Sequence, residues 1–208
     1  MQAKHPGRWL TYDEAYGQLV TSCQDGTIVG LRDEIVIRLG LSGLRCAEIA
    51  ALRIENVRHL PAITWTGKGH KPRKATAGHA LQEILRCYLA QYPDADAASP
   101  LVCREILGAR RQGGSGRLDW HEPAAPRTVF HIVTTRARRA DLGHVAPHDL
   151  RRTAAGILHT ATTGDGAHHF DLLDIQRVLG HSDPATTMRS YLEPMQTDVL
   201  DRAAAVLD

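Results

Sequence analysis

The sequence predicts a mostly helical α+β domain with one small three-stranded antiparallel sheet. Apolar residues recur at helical spacing through most of the 208 residues. Short β-like runs are confined to residues 57–77. The 43% apolar content is enough to build a core. Nothing forces a second domain, so residues 1–208 are expected to form a single one.

Helix signals account for most of the chain. Thr11 and Glu14 have the spacing of a capping box before the first periodic stretch. Leu41-Ser42-Gly43 interrupts the pattern after the second. The predicted helices cover residues 12–23, 28–40, 45–52, 79–92, 126–141, 148–160, 170–179, 184–191 and 197–207.

The three predicted strands lie close together, over residues 57–60, 62–66 and 73–77. The turn Gly67-Lys68-Gly69-His70 separates the last two and predicts a hairpin. Residues 93–125 are rich in Pro, Gly, Ser and Asp and have few periodic positions, which predicts a flexible loop.

The sequence argues against a membrane-spanning protein, a secreted protein and a small domain held by zinc or disulfides. No run approaches 18 apolar residues, and the first 20 residues have no hydrophobic stretch of the signal-peptide type. The four cysteines show no C-x-x-C spacing, which argues against a zinc ribbon or a disulfide framework. We therefore expect a cytoplasmic protein with reduced thiols.

Charge is more informative in its distribution than in its sum. The net charge is only +2. Residues 67–74 nevertheless carry four cations and no acid, and residues 109–139 carry seven arginines against two acids. From residue 155 onward there are three arginines against eight acids. This pattern is compatible with a polyanion-binding face and a protein-contact tail, or with a patchwork surface that has no partner.

Two motifs in the first half combine charge with helix or turn signals. Arg45 and Glu48 are three residues apart on a predicted helix, as in an ordinary surface ion pair. Lys68 lies in the hairpin turn. The chain has 21 Arg but only four Lys, three of them within residues 68–74. Because lysine can give up its proton and arginine cannot, Lys68 suits proton transfer, although a solvated basic turn has the same pattern.

Two further motifs lie in the second half. His148 and Arg151 share a helical face directly after Pro147, where the helix dipole disfavours a protonated imidazole. His181 follows a glycine typical of helix ends, and Tyr191 comes ten residues later. Read singly, these are a polar helix cap, a turn residue and a core aromatic. Together, the arginines, histidines, lysine and tyrosine make up a set suited to phosphoryl transfer without a metal.

The stretches GLRCAEIAAL, GKGHKPR, HDLRRTAA and LGHSDPATTMRSY resemble, in order, the catalytic domain of the tyrosine recombinases, or phage integrases. The resemblance extends from about Thr11 to Pro194. It implies that the protein is a site-specific DNA recombinase that cuts and rejoins DNA through a 3′-phosphotyrosine, with neither ATP nor a metal. The alternative is a DNA-binding protein of the same fold that does not catalyse. A third reading is a regulator that acts through protein contacts of the acidic tail.

The resemblance also implies a role for each matched residue. Arg45, Arg151 and His181 would hold the scissile phosphate, and Tyr191 would attack it. His148 would act as the general base and Lys68 as the general acid, while Glu48 would orient the region of Arg45 and His148. Cationic side chains around these motifs are expected to contact the double-stranded DNA: Lys71, Arg73, Lys74, Arg136, Arg138, Arg139 and Arg152.

The chain departs from the family pattern in a few places. The interval from His181 to Tyr191 is one residue longer than usual, residues 160–170 resemble an insertion, and the N-terminal core-binding domain of the family is absent. An apolar stripe in 195–208 predicts a C-terminal helix. The resemblance implies that a monomer without DNA would form a homotetramer on DNA through this helix. His159, His168 and His169 could suggest zinc, but no well-spaced second pair accompanies them, so no metal or other cofactor is expected.

Overall fold

The computed structural model describes residues 8–67, 69, 71–106, 116–163 and 169–179. The chain divides into two compact units, Met1–Ala154 and Ala155–Asp208. The described elements are, in order, a π-helical stretch Asp13–Val20, a 3₁₀ turn Thr21–Cys23, α1 (Ile28–Leu41), α2 (Cys46–Ala51), a 3₁₀ turn Ile54–Val57, β1 (Ala62–Thr66), β2 (Pro72–Thr76), α3 (His79–Leu89), β3 (Cys103–Glu105), β4 (Leu118–Pro123), α4 (Pro126–Arg139), α5 (Pro147–Thr160) and α6 (Leu172–Leu179).

Helix α1 is the core helix of the first unit, and it packs against α2, α3 and α4. The Oγ1 atom of Thr27 caps it by accepting a hydrogen bond from the backbone N–H of Gly30 at 2.9 Å. Both apolar and charged side chains of α1 are buried, so it is enclosed on more than one side. Helix α3 is instead amphipathic and buries Leu81, Leu85 and Tyr88 on one face.

Buried ion pairs join α1 to α4 and to β3. Asp33 accepts from Arg32 Nε at 2.7 Å and from Arg136 Nε at 2.8 Å. Arg136 Nη1 also donates to the Ser22 carbonyl at 2.6 Å and to Asp25 at 2.9 Å. Arg32 Nη1 donates to the carbonyl of Cys103 in β3 at 3.0 Å. Because each guanidinium in this network faces a carboxylate, the pairing offsets the cost of burying these charges in the core.

Arg136 is therefore a structural residue, and its predicted contact with DNA is wrong. Its side chain is only 1% exposed and is held by two carboxylates. On α4 the exposed arginines of the last turn are Arg138 and Arg139. A guanidinium that is removed from solvent and already paired has no free surface to offer a phosphate.

The predicted three-stranded sheet has two strands. β1 and β2 pair antiparallel with Trp65 opposite Arg73, which confirms the hairpin. The prediction of a strand over residues 57–60 is wrong, because no strand forms there. The chain there forms a 3₁₀ turn over Ile54–Val57 followed by a turn, and Asn56 Oδ1 accepts the Arg53 backbone N–H at 2.6 Å. A side-chain amide that satisfies this backbone donor favours a turn over a strand.

A second antiparallel pair, β3 and β4, lies within residues 93–125, where the sequence predicts only a loop. An aromatic cluster supports it. The ring centroids of Tyr92 and Trp120 are 4.4 Å apart, those of Tyr88 and Trp120 are 5.3 Å apart, and the Tyr92 hydroxyl donates to the Trp120 carbonyl. The sheet is thus stabilised by side-chain packing rather than by strand length.

The other predicted helices among the described residues are confirmed to within a few residues, and the first is π-helical over most of its length. Its capping box forms as predicted. Thr11 N–H donates to Glu14 Oε2 at 2.8 Å, and Glu14 N–H donates to Thr11 Oγ1 at 3.1 Å. The predicted helices 184–191 and 197–207 lie outside the described residues. Within the described ranges, no helix has the length and apolar character needed to cross a membrane.

The ion-pair network predicts a strong dependence of stability on Asp33. The substitution Asp33→Ala leaves Arg32 and Arg136 without a shared carboxylate, so the free energy of unfolding should fall by about 3–5 kcal/mol. Urea unfolding followed by circular dichroism measures this change. The control is Glu83→Ala, which breaks the exposed pair between Glu83 and Arg86 and should change the free energy of unfolding by less than about 1 kcal/mol. Equal losses in both variants would contradict the assignment of Asp33 as the central partner.

Candidate active site

Arg45 is fixed at the start of α2 by Glu48. Glu48 Oε2 accepts the backbone N–H of Arg45 at 2.8 Å, and Glu48 Oε1 accepts from Arg45 Nη1 at 3.1 Å. The Glu48 side chain is 8% exposed, whereas the Arg45 side chain is 44% exposed. The pair predicted from the i, i+3 spacing is confirmed. A guanidinium held by a buried carboxylate on one side and open on the other is oriented to bind an anion.

The first turn of α5 carries His148 and Arg151. Pro147 is the first residue of the helix, a position at which the missing N–H of proline costs nothing. His148 is exposed, while Arg151 is only 4% exposed. The two are three residues apart, so the turn presents an imidazole at the surface close to a buried guanidinium.

The surroundings of His148 lower the pKa of its imidazole below the ordinary value. Desolvation by the protein around the ring is the largest cause, and the positive charges of Arg152 and Arg151 follow. The negative charge of Asp149 acts in the opposite direction, and the charge of Arg45 adds to the lowering. A lowered pKa keeps the imidazole neutral, and so able to accept a proton, at a lower pH than a free histidine.

The contribution of Arg45 shows that α2 and α5 bring two distant motifs together. Arg45 precedes His148 by about a hundred residues in the chain, yet its charge acts on the His148 ring. The structure thus places Arg45, Glu48, His148 and Arg151 in one region of the first unit. Lys68, His181 and Tyr191, the other three predicted site residues, lie outside the described residues.

The hairpin that flanks Lys68 is described on both sides. Gly67 N–H donates to the Lys71 carbonyl at 2.8 Å, so the two strands are joined directly before the turn. Gly69 has a φ of +76°, a left-handed conformation that favours glycine. The described residues on either side of the predicted general acid are therefore joined by a backbone hydrogen bond and include a left-handed glycine.

Apart from the buried Arg136, the side chains predicted to contact DNA are at least partly exposed to solvent. Lys71 and Lys74 on the hairpin and Arg138 and Arg139 on α4 are exposed. Arg73 and Arg152 are half-buried: the Arg73 guanidinium lies 5.7 Å from the centroid of the Trp65 ring, and Arg152 Nη1 is 3.9 Å from Asp149. Among the described residues, no three His, Cys, Asp or Glu side chains are grouped so that they could hold a metal ion.

Sequence reasoning assigned no role to Asp149, which the structure shows to be a buried acceptor beside His148. Its Oδ2 accepts the backbone N–H of Ala146 at 2.8 Å, and its Oδ1 accepts that of Arg8 at 3.2 Å. The first bond could have been predicted, because an acidic side chain at the third position of a helix commonly accepts the N–H of the cap residue. The second could not, because Arg8 is 141 residues away.

The chain matches the family model described as the phage integrase family over residues 8–197. It belongs to the phage integrase family. One similar relative is a tyrosine recombinase XerC of Mycobacterium sp. (strain KMS), 35% identical over 172 residues, which cover 80% of this chain and 51% of the relative. Another is a tyrosine recombinase XerD of Neisseria meningitidis serogroup B (strain MC58), 28% identical over 185 residues, which cover 86% of this chain and 56% of the relative. The chain spans about half the length of these relatives.

Two solved recombinase structures share the fold. A crystal structure of XerA recombinase superposes with a TM-score of 0.66 at 21% identity, covering 94% of this chain and 66% of that one. A XerH site-specific recombinase in a post-cleavage complex with its palindromic difH substrate superposes with a TM-score of 0.70 at 19% identity. The match covers 97% of this chain and 54% of the XerH chain. The mostly helical α+β fold predicted from the sequence is confirmed.

The electrostatics of the site predict how the His148 imidazole titrates. In the native protein its midpoint should lie below the ordinary histidine value. Arg152→Ala removes one of the charges that lower this pKa, so the midpoint should rise. Titration of the imidazole ring protons by NMR measures both values. The matched control is Arg86→Ala on the exposed face of α3, which should leave the midpoint unchanged. A midpoint that stays fixed in Arg152→Ala would contradict the described surroundings of His148.

Proposed function

We propose that this chain is the catalytic part of a site-specific tyrosine recombinase, which cuts and rejoins DNA through a 3′-phosphotyrosine without metal or ATP. The observation that carries the proposal is the convergence of Arg45, His148 and Arg151, from α2 and α5, in one region of the first unit. The family relatives named tyrosine recombinases XerC and XerD support it.

The arginines suit the phosphate of a DNA backbone. A guanidinium donates paired hydrogen bonds to two phosphate oxygens and stays charged throughout the reaction. Arg45 is oriented by Glu48 before any ligand binds, so little conformational freedom is lost when it does. Together with Arg151 and His181, it would stabilise the negative charge that builds on the non-bridging oxygens in the transition state.

The covalent step exchanges one phosphoester for another. The Tyr191 oxygen forms a bond to the scissile phosphorus, and the bond from phosphorus to the 5′ oxygen breaks. His148 takes the proton from the tyrosine hydroxyl, and Lys68 gives a proton to the departing 5′ oxygen. Rejoining reverses the transfers, with a 5′-hydroxyl attacking the phosphotyrosine. The number of phosphoester bonds is conserved, so no external energy source is required.

The burial of three of the described tyrosines supports Tyr191, the tyrosine that the family resemblance implies, as the nucleophile. Tyr88 and Tyr92 lie in the core beside β3 and β4, and burial raises the pKa of both hydroxyls. Burial also raises the pKa of Tyr16. Tyr12 is exposed, but its ring packs on that of Tyr16 with centroids 4.8 Å apart. A deprotonated phenolate is therefore disfavoured at the three tyrosines that are wholly or partly buried.

Exposed cations on the hairpin and on α4 would contact the DNA backbone. Lys71 and Lys74 project from a hairpin that has no acidic residue between positions 62 and 76, so no carboxylate on it repels a phosphate. Arg138, Arg139 and Arg152 extend the basic surface, with Arg73 on the hairpin. Contacts of this kind are sequence-independent and weaken as the salt concentration rises. The neighbouring XerH structure, a complex with its difH substrate, supports DNA as the partner.

Assembly and location are further parts of the proposal. The protein would be a monomer without DNA and a homotetramer on DNA, joined through the apolar stripe of residues 195–208. Those residues lie outside the described ranges, so the support is the helical spacing of Val199, Ala203 and Val206 in the sequence. The bacterial relatives support a cytoplasmic location.

The nucleophile is tested by Tyr191→Phe. The variant should form no covalent protein–DNA adduct on a nicked suicide duplex, because the attacking oxygen is gone. DNA affinity should stay within about two-fold, since one hydroxyl adds little to a contact made with phosphates. Denaturing gels measure the adduct and fluorescence anisotropy measures affinity. Tyr12→Phe, the matched control at an exposed tyrosine, should form the adduct at the native rate. DNA binding without any adduct from the native chain would support the non-catalytic alternative.

The general acid is tested by Lys68→Ala. Cleavage should slow by roughly 10²–10⁴-fold, the usual range for loss of one proton donor. On a duplex whose leaving group is a 5′-thiol, the defect should disappear, because a thiolate leaves without being protonated. Single-turnover adduct formation on the two duplexes measures both rates. Equal defects on both would show that Lys68 only contacts phosphate.

A further inference from the structure

A short segment without regular secondary structure, residues 8–10, is hydrogen-bonded along the first two turns of α5. The backbone N–H of Arg8 donates to Asp149 Oδ1 at 3.2 Å, and the backbone N–H of Leu10 donates to Thr153 Oγ1 at 2.8 Å. Arg8 Nη1 also donates to the carbonyl of Leu142, in the loop before α5, at 2.9 Å. These bonds join parts of the chain that are more than 130 residues apart.

The two acceptors on α5 are buried and linked to each other. Asp149 is 7% exposed and Thr153 is fully buried. The Thr153 hydroxyl donates to the backbone carbonyl of Asp149 at 2.8 Å while it accepts from Leu10. The second carboxylate oxygen of Asp149 accepts the N–H of Ala146. Both side chains therefore use their hydrogen-bonding capacity to hold the start of α5 against residues 8–10.

The same turn carries the predicted chemistry on its other side. Asp149 and Thr153 are four residues apart, so they share a face of the helix. Helical periodicity of about 100° per residue places Arg151 on the opposite side of α5 and His148 about 100° around the helix from Asp149. A small rotation or shift of the turn would therefore displace the imidazole and the guanidinium together, and misplacements on that scale are costly in catalysis.

We propose that Asp149 and Thr153 are positioning residues for strand cleavage and that residues 8–10 are the support against which they hold His148 and Arg151. The inference rests on the proposed recombinase function and adds to it a part of the chain far from the reacting groups. Neither side chain is assigned contact with DNA. Their contribution should appear in the rate of the covalent step and leave DNA affinity unchanged.

The sharpest test compares substitutions of Thr153. Thr153→Val keeps the shape of the side chain and removes the hydroxyl that bonds Leu10 and Asp149. Single-turnover adduct formation should slow by roughly ten-fold, as expected for one buried hydrogen-bonded group. Affinity for a duplex measured by anisotropy should stay within about two-fold. Thr153→Ser restores the hydroxyl and should return the rate to within about two-fold of the native value.

Two further variants separate positioning from general destabilisation. Thr160→Val, on the same helix, removes a hydroxyl that donates to the helix's own carbonyls at Gly156 and Ile157. It should cleave at the native rate. Asp149→Asn puts an amide NH₂ against one of two backbone donors, so it should slow cleavage more than Thr153→Val does. It also removes the negative charge that raises the pKa of His148, so the acidic limb of its pH–rate profile should move to lower pH.

The outcomes distinguish the inference from the function on which it rests. No adduct from the native protein would overturn the recombinase proposal, and the inference with it. A native adduct with unchanged rates in Thr153→Val and Asp149→Asn would overturn the inference alone. Equal slowing in Thr153→Val and Thr160→Val would also overturn it, because loss of any α5 hydroxyl would then suffice. If Asp149→Asn fails to fold, the comparison of Thr153→Val with Thr153→Ser decides the matter.

Discussion

Positive charges are crowded around the first turn of α5, and their mutual repulsion must be offset before the site can exist. Arg45, Arg151 and Arg152 all act on the same imidazole. Two buried carboxylates provide the offset, Glu48 on α2 and Asp149 on α5. Both also accept backbone N–H groups, so each carboxylate neutralises charge and fixes geometry at once. The three guanidinium groups still outnumber the two carboxylates, so the region keeps a net positive charge.

Packing and ion pairs in the rest of the first unit hold the site-bearing helices in place. Leu150, next to the site residues, packs directly over Gly40 of α1, where an added Cβ would lie 2.7 Å from a Leu150 methyl. Helix α1 in turn binds α4 and β3 through the network around Asp33. Charge thus serves two purposes in this fold. Fully paired charges connect the helices of the core, and partly paired charges form the site.

Local signals in the sequence predicted the helices well, because capping residues and apolar spacing act within a few positions. The Thr11–Glu14 box and the Arg45–Glu48 pair form as expected. Predictions failed where a distant partner decides the outcome. Arg136 shares the buried face of α4 with Val129 and Val133, but the carboxylates that pair with it are 103 and 111 residues away. Strands β3 and β4 were missed for the same reason, since the aromatic cluster that supports them joins two separate segments, residues 88–92 and Trp120.

The β3–β4 pair closes with a backbone hydrogen bond from Ile106 N–H to the Arg117 carbonyl at 2.8 Å. This bond and the aromatic cluster behind it secure both ends of the connection, independently of the residues in between. Doubling the length of a closed loop costs only about 0.6 kcal/mol in chain entropy. An insertion between Ile106 and Arg117 should therefore cost little in chain entropy as long as these two residues keep their hydrogen bond.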